Sequence, residues 1–353
     1  MQDVRLKDVA TLAGVSVATV SRVIHHTGYV SEQARERVEQ ALRDSGYRLN
    51  VVAQELRRKK TITLGIIVHG ALSHPFVGEV VIGAEQAAAE QGFNVLLFNS
   101  RGESDREREC VETLLKRRVD GIIFTTAVDG KNVALALDAG VHAVEIERRL
   151  CEAASAVVID NHAAAVKAMR HLIDLGHRKI GFVGEPFLHE TDDDKAPGIP
   201  KERFDAYRDA LRDSGQEFDE SCIVLGRYPR EPGGWGGLKA GAVYMQRLLE
   251  QAPDLTAVLA VSDLVAAGAM QTLHAHGIRV PDQLSIVGFD DTFAKYLAPS
   301  LTTIRQPMFD MGYKAASLAI TLISEDISEG SLEYCPTRLV VRNSTARVDI
   351  AHA

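Results

Sequence analysis

Two kinds of hydrophobic periodicity divide this 353-residue chain. Up to about residue 46, apolar residues recur three or four positions apart, which is the spacing of one helix face. From residue 61 onward, short β-branched runs alternate with stretches of helical periodicity. The change predicts a small all-α region followed by a larger α/β region.

The first region is predicted to contain three short helices. The first ends at Gly14, and the second covers about Val17–Ile24 behind Ser16, whose side chain can cap it. A third runs over 31–45. Short helices joined by a glycine-containing turn are typical of a helix-turn-helix.

The second region contains eight short apolar runs that we interpret as strands. They lie at 64–68, 94–99, 119–126, 142–147, 156–160, 179–184, 257–262 and 284–289. Helical stretches between most of them predict parallel sheets joined by crossovers. About 280 residues exceed one compact sheet domain, so we expect two lobes, with ligands bound in the cleft at the carboxyl ends of the strands.

Charge is unevenly distributed between the two regions. Residues 1–60 contain 11 Lys/Arg against 7 Asp/Glu, whereas the whole chain has a net charge of −8. A basic head on an acidic body is typical of a DNA-contacting arm attached to a sensor. We find no apolar stretch of membrane-spanning length and no secretory signal, and therefore expect a cytoplasmic protein without a membrane partner.

Motifs of catalysis and metal binding are missing from the sequence. The four cysteines are too widely spaced for a metal knuckle or a CxxC pair. No GxSxG, HExxH, P-loop or strand-linked GxGxxG pattern occurs. We therefore expect a protein that is not an enzyme and has neither a cofactor nor a metal ion.

Two sets of motifs resemble the LacI/GalR family of bacterial repressors. The head motifs are LKDVATLAGVSVATVSRVI at 6–24, VSEQARERVEQALRDSGY at 30–47 and NVVAQEL at 50–56. The body motifs are HPF at 74–76, VDGII at 119–123, IDN at 159–161, HLIDLGHRKIGFVG at 171–184, AVSD at 260–263, VPDQLSIVGFDD at 280–291 and LTTIRQP at 301–307.

The resemblance implies a helix-turn-helix head joined to a two-lobed sensor domain similar to periplasmic binding proteins. We expect a DNA-binding domain at 1–49, a hinge helix or linker at 50–60, an effector-binding and dimerisation domain at 61–345 and a short tail at 346–353. The implied function is transcriptional repression controlled by a small molecule.

A recognition helix enters the major groove by its N-terminal end, which identifies candidate DNA contacts. They are Ser16, Val17, Ala18, Thr19, Ser21 and Arg22. The resemblance adds Tyr29, Asn50, Gln54 and Leu56. It also implies that the leucine wedges into a minor-groove step and kinks the duplex.

Candidate effector contacts follow from the resemblance and from strand ends. Arg203 and Asp290 match residues that bind the effector in the family. The further candidates are His74, Phe76, Glu147, Arg148, Asp160, Ser262, Gln306 and an aromatic, Tyr228 or Trp235. An aspartate at a strand end can instead cap a helix or turn, and this alternative stays open for Asp160.

The mixture of carboxylates, a guanidinium and aromatic surfaces favours a sugar or sugar derivative as the effector. A purine- or nucleoside-responsive regulator is the main alternative, and a sugar-binding protein that does not bind DNA is a second. The expected partners are operator DNA, this effector and a second copy of the chain.

Overall fold

The structure is a computed structural model that describes residues 4–24, 27–47, 61–185, 199–227, 236–327 and 329–348. The predicted contacts Asn50, Gln54, Leu56, Tyr228 and Trp235 lie outside the described residues. The chain divides into two compact units, Met1–Lys59 and Lys60–Ala353, which we call the head and the body.

The head contains the three helices that the sequence predicts. They are α1 (Leu6–Ala13), α2 (Val17–Ile24) and α3 (Glu32–Ser45). Gly14 ends α1 because it adopts a left-handed φ of 62°, which a residue without Cβ tolerates. Ser16 caps α2 by accepting a hydrogen bond from the Thr19 backbone N–H at 3.1 Å.

Each head helix buries one apolar stripe in a common core. Val9 of α1, Val20 of α2 and Val38 of α3 are all 0% exposed. Because the three stripes meet, the side chains on the opposite faces are left for solvent or a partner.

The body alternates strands and helices over its whole length. In chain order its elements are β1 (Thr63–Val68), α4 (Pro75–Glu90), β2 (Asn94–Asn99), α5 (Ser104–Lys116), β3 (Gly121–Phe124), α6 (Gly130–Asp138), β4 (His142–Ile146), β5 (Ser155–Val158), α7 (Asn161–Asp174), β6 (Ile180–Gly184), α8 (Ile199–Asp213), β7 (Ile223–Leu225), α9 (Gly236–Gln251), β8 (Ala257–Ala260), α10 (Asp263–Ala275), β9 (Ser285–Asp290), β10 (Thr302–Arg305), α11 (Met308–Glu325), β11 (Leu332–Tyr334) and β12 (Arg338–Val340).

Two six-stranded sheets form two lobes, as predicted. Lobe 1 has the order β11-β5-β4-β3-β1-β2, and lobe 2 has β12-β10-β9-β8-β6-β7. The paired strands are parallel except for β10 and β12, which are antiparallel. In the described chain, the connections β5–α7, β10–α11 and β11–β12 pass between the lobes. The carboxyl ends of many strands therefore lie near these crossing segments.

In each lobe two helices cross with their backbones in close contact, and each helix has a glycine at the crossing. In lobe 1, a Cβ on Gly312 of α11 would lie 1.9 Å from the Val80 oxygen of α4. In lobe 2, a Cβ on Gly268 of α10 would lie 1.9 Å from the Leu238 oxygen of α9. Only glycine allows such close backbone approach, so these residues set the spacing of the helices.

The body's contacts continue past residue 345. His177 Nε2 lies 3.1 Å from the Ala346 carbonyl, and the Val348 N–H donates to the Leu175 carbonyl at 3.0 Å. Part of the segment predicted as a tail is therefore held against lobe 2. In the described residues, we find no helix with the length and apolarity needed to cross a membrane.

Candidate nucleic-acid interface and ligand cleft

The N-terminal end of α2 forms an exposed surface that carries the predicted DNA contacts. Val17 is 43% exposed, and Ser16, Ala18 and Arg22 are also exposed. Thr19 and Ser21 are half-buried. The helix thus presents small side chains and one guanidinium, which can approach base edges closely.

The loop after α2 positions Arg22 and presents an aromatic ring. Gly28 has a left-handed φ of 67°, and a Cβ there would lie 3.6 Å from Arg22 Cδ. The arginine stem therefore packs beside the glycine backbone. Tyr29 is 88% exposed. Leu12 on α1 is also 60% exposed, and it was not among the predicted functional residues.

The body residues predicted at strand ends occupy the carboxyl ends of both sheets. Glu147 follows β4 in lobe 1, whereas Asp290 ends β9 and Gln306 follows β10 in lobe 2. This arrangement brings side chains from two sheets to the lobe junction, as the fold requires for a ligand cleft.

Arg203 on α8 is a buried cation with a fixed orientation. It is 5% exposed, its Nε donates to Asn161 Oδ1 at 2.9 Å, and its Nη1 donates to the Val261 carbonyl at 2.7 Å. Its guanidinium carbon lies 3.6 Å from the centre of the Phe289 ring. Asn161 and Phe289 were not predicted as site residues, although each lies within a quoted motif, next to the candidates Asp160 and Asp290.

Asp290 and Glu147 combine burial with unusual backbone conformations. Asp290 has a φ of 125° and Glu147 a φ of 77°. Such values cost a residue with a Cβ about 1–3 kcal/mol each and concentrate at functional sites. Gln306 Nε2 donates to Asp290 Oδ1 at 2.7 Å, and Thr126 Oγ1 donates to Glu147 Oε2 at 2.6 Å.

Burial raises the pKa of these carboxyl groups. The pKa of Asp290 rises to about 7, and that of Glu147 also rises, in each case chiefly through desolvation. The nearby charge of Arg203 opposes both shifts. Glu185, directly after β6, behaves in the same way, with a pKa of about 7. Sequence reasoning missed Glu185, although its position at a strand end was a usable signal.

The head and the body each match a known protein family. Residues 5–50 match the family described as bacterial regulatory proteins, lacI family, and residues 169–345 match a periplasmic binding protein-like domain. The regulator GalR of Escherichia coli strain K12 is 35% identical over 345 residues, covering 97% of this chain and 95% of its own. The chain belongs to the LacI family.

Solved structures agree with this assignment over the whole length. A Lac repressor dimer bound to operator and the anti-inducer ONPF matches with a TM-score of 0.83 and 25% identity, covering 98% of this chain and 100% of that chain. A complex of the regulator CelR with cellobiose matches with a TM-score of 0.71 and 32% identity, covering 97% and 99%. This LacI-family protein is a DNA-binding transcriptional regulator.

Two strand-end residues of the LacI-family protein act as helix caps. Asp160 is exposed and accepts a hydrogen bond from the Ala163 N–H at 2.7 Å, capping α7. Ser262 accepts one from the Val265 N–H at 3.3 Å, capping α10. Asp160 is therefore a helix cap in this structure, which is the alternative that the sequence left open.

Phe76 departs from the expected cleft role because it packs in the core, whereas Arg148 lies close to the cleft carboxylate Glu147. Phe76 is 6% exposed and belongs to the hydrophobic core, so it offers almost no flat surface to an effector. Arg148 Nη2 donates to the Ala127 carbonyl within lobe 1. His74 lies just before α4, and desolvation lowers its pKa, which favours the neutral imidazole.

The two aspartates of the GFDD motif have different partners. Asp290 pairs with Gln306, whereas Asp291 accepts hydrogen bonds from Arg305 and, at 2.6 Å, from Arg342. Asp291 therefore joins Arg305 of β10 to Arg342, which follows β12, through two ion pairs. This difference supports the choice of Asp290 as the cleft residue.

Proposed function

We propose that this regulator is a homodimeric repressor whose affinity for a roughly palindromic operator is controlled by a small polyhydroxylated effector bound between the lobes. The observation that carries the proposal is the oriented, buried guanidinium of Arg203 beside carboxylates at the carboxyl ends of both sheets. A guanidinium fork and carboxylates together suit the donors and acceptors at the edge of a sugar.

The DNA-binding part of the proposal rests on the exposed end of α2. Small side chains and Arg22 would contact base edges, while Ser16, Thr19 and Ser21 would bind phosphates. We assign 1–49 to the head, 50–60 to a hinge and 61–345 to the sensor, with a tail at 346–353. In the hinge, Leu56 would wedge into the minor groove with Gln54 and Asn50 nearby.

Exposed apolar side chains on both lobes support dimerisation of the body. Ile82 on α4 is 55% exposed and Leu97 on the edge strand β2 is 38% exposed. In lobe 2, Val243 and Tyr296 are 45% and 76% exposed. A matching structure is a Lac repressor dimer on its operator, and two heads would meet two half-sites in the same manner.

Effector control is proposed to work by binding alone, without a chemical reaction, a cofactor or a metal ion. The related CelR structure contains cellobiose, which supports a sugar for this chain. An effector that binds one arrangement of the lobes more tightly shifts the population of DNA-competent dimers. We place this activity in the cytoplasm, where the chromosome lies.

The test combines operator selection with an effector screen. DNA retained by the purified full-length protein should yield a palindromic site, and sugars rather than nucleosides should raise the melting temperature and change operator affinity. Asp290→Ala should lose the response to the effector and keep operator binding, whereas the exposed control Arg279→Ala should keep both. Stabilisation by purines or nucleosides alone would show that the sugar assignment is wrong.

A further inference from the structure

The charges in the cleft do not balance among the described residues. Arg203 lies close enough to Glu147, Glu185 and Asp290 that its positive charge lowers the pKa of all three. Arg148 has the same effect on Glu147. The charge of Arg203 also lowers the pKa of Glu202. Four acidic groups thus share two guanidiniums, and Arg148 is additionally bonded to a backbone carbonyl of lobe 1.

A further buried carboxyl group lies close to Asp290. Asp263 is 0% exposed and accepts hydrogen bonds from Thr303 Oγ1 at 2.6 Å and from the Thr292 N–H at 3.2 Å. Its proximity to Asp290 raises the pKa of Asp263 in addition to the larger effect of burial. Both burial and the nearby Asp290 therefore favour the neutral, protonated form of Asp263.

An unsatisfied acceptor lies beside the same carboxylates. Gln306 is 5% exposed, and its Nε2 donates to Asp290. Its Oε1 is buried and accepts no hydrogen bond from the described residues. Gln306 and Asp290 line a cavity of about 450 Å³, whose other charged lining residues are Glu79, Asp291, Asp310 and Arg305. A buried amide oxygen without a donor is costly, so a ligand that donates a hydrogen bond here gains binding free energy.

The described residues leave the cleft short of hydrogen-bond donors and of positive charge. A neutral hydroxyl supplies one donor and no charge, whereas an ammonium group supplies three donors, no acceptor and the missing charge. Among the described residues, no three acidic, histidine or cysteine side chains are arranged to hold a metal ion. The hydrogen-bond acceptors are instead spread over a site large enough for a small organic molecule.

We propose that the effector is an aminated sugar whose protonated amine is bound by Glu185, Asp290 and the Gln306 amide oxygen. This inference rests on the proposed function, because it assigns a charge to the effector of the same cleft. Arg203 would bind the hydroxyls on the other edge of the sugar ring. Binding of the cation would ionise carboxyl groups that burial keeps partly protonated near neutral pH, so protons would be released.

Matched pairs of ligands test the charge of the effector. The full-length protein would be titrated calorimetrically at pH 7 with D-glucosamine, D-galactosamine and D-mannosamine, and with the parent hexoses and N-acetylhexosamines. We expect one of the three amines to bind roughly tenfold to a hundredfold more tightly than its uncharged counterparts, because hydrogen bonds to charged groups are the stronger ones. Repeating the titration in buffers of different ionisation enthalpy should show proton release for the amine alone.

A variant of Glu185, the carboxylate that the sequence did not predict, completes the test. Glu185→Gln should weaken amine binding about tenfold and leave hexose binding within about twofold, while Glu217→Gln, an exposed glutamate of the same lobe, should change neither. Equal or tighter binding of the parent hexose would overturn the amine while leaving a sugar effector in place. Failure of every amine and every neutral sugar would overturn both the amine and the proposed sugar class.

Discussion

The head and the cleft both depend on one arginine, and they hold it in opposite ways. Arg22 is exposed on α2, with its stem beside Gly28. Arg203 is 5% exposed, and two of its nitrogens donate to groups within its own lobe. An exposed arginine can adapt to phosphates and base edges, whereas a preorganised arginine selects a ligand of one shape.

The surroundings of the two arginines differ in the same sense. No carboxylate among the described head residues is buried, whereas the guanidinium in the cleft has four acidic neighbours that burial affects. Interactions in the head should therefore be nearly independent of one another. Those in the cleft should be coupled, because each charge sets the protonation of the next.

The largest expected difference between the head and the cleft concerns the stability of variants in which each arginine is replaced by alanine. Arg203→Ala leaves buried carboxylates without their cation and should lower the free energy of unfolding of the body by about 3–5 kcal/mol. Arg22→Ala should change stability by less than about 0.5 kcal/mol but weaken operator preference by about 1–3 kcal/mol. Urea unfolding and operator titration of both variants measure these quantities. Similar losses of stability in the two variants would contradict the comparison.

The body should lose stability as the pH rises, and the head should not share this effect. Burial raises the pKa of Glu185 and Asp290 to about 7, above the value of about 4 in the unfolded chain. The folded body then binds more protons than the unfolded chain between about pH 4 and 7, so this contribution is lost as pH rises across that window. We expect a decrease in melting temperature on the order of 5 °C.

The control for this pH dependence is the double variant Glu185→Gln with Asp290→Asn. His74 acts in the opposite direction, since burial lowers its pKa and its neutral form is favoured in the folded state. The difference between wild type and double variant therefore isolates the two carboxyl groups. An identical pH profile for both proteins would contradict their assignment.

Removal of a helix cap should have the smallest effect on stability, and this effect should be similar in the head and the body. Ser16→Ala in the head and Asp160→Ala in the body each remove a cap oxygen and should each cost about 1 kcal/mol. Asp160→Asn retains a capping oxygen and should restore most of the loss. Thermal unfolding measures stability, and effector titration of Asp160→Asn shows whether this side chain also contributes to ligand binding. A stable Asn variant with no effector response would assign it a contact beyond the cap.

Local patterns were sufficient for most elements. The glycine stop at Gly14, the Ser16 cap and the apolar stripes predicted the head helices, and all eight predicted strand runs contain strands of the structure. The strands β7, β10, β11 and β12, which have three or four residues each, were not among the predicted runs. Their pairing partners, rather than their own periodicity, make them strands.

The sequence by itself determined the division into a helical head and a two-lobed body, and its family resemblance identified Arg203 and Asp290 as candidate effector contacts. Only the tertiary structure decided that Glu185 joins them, that Asp291 binds arginines of lobe 2, and that Phe76 packs in the core. Caps and periodicity act over a few residues, so they can be read along the chain. Burial and charge depend on groups far apart in sequence, and only folding brings those groups together.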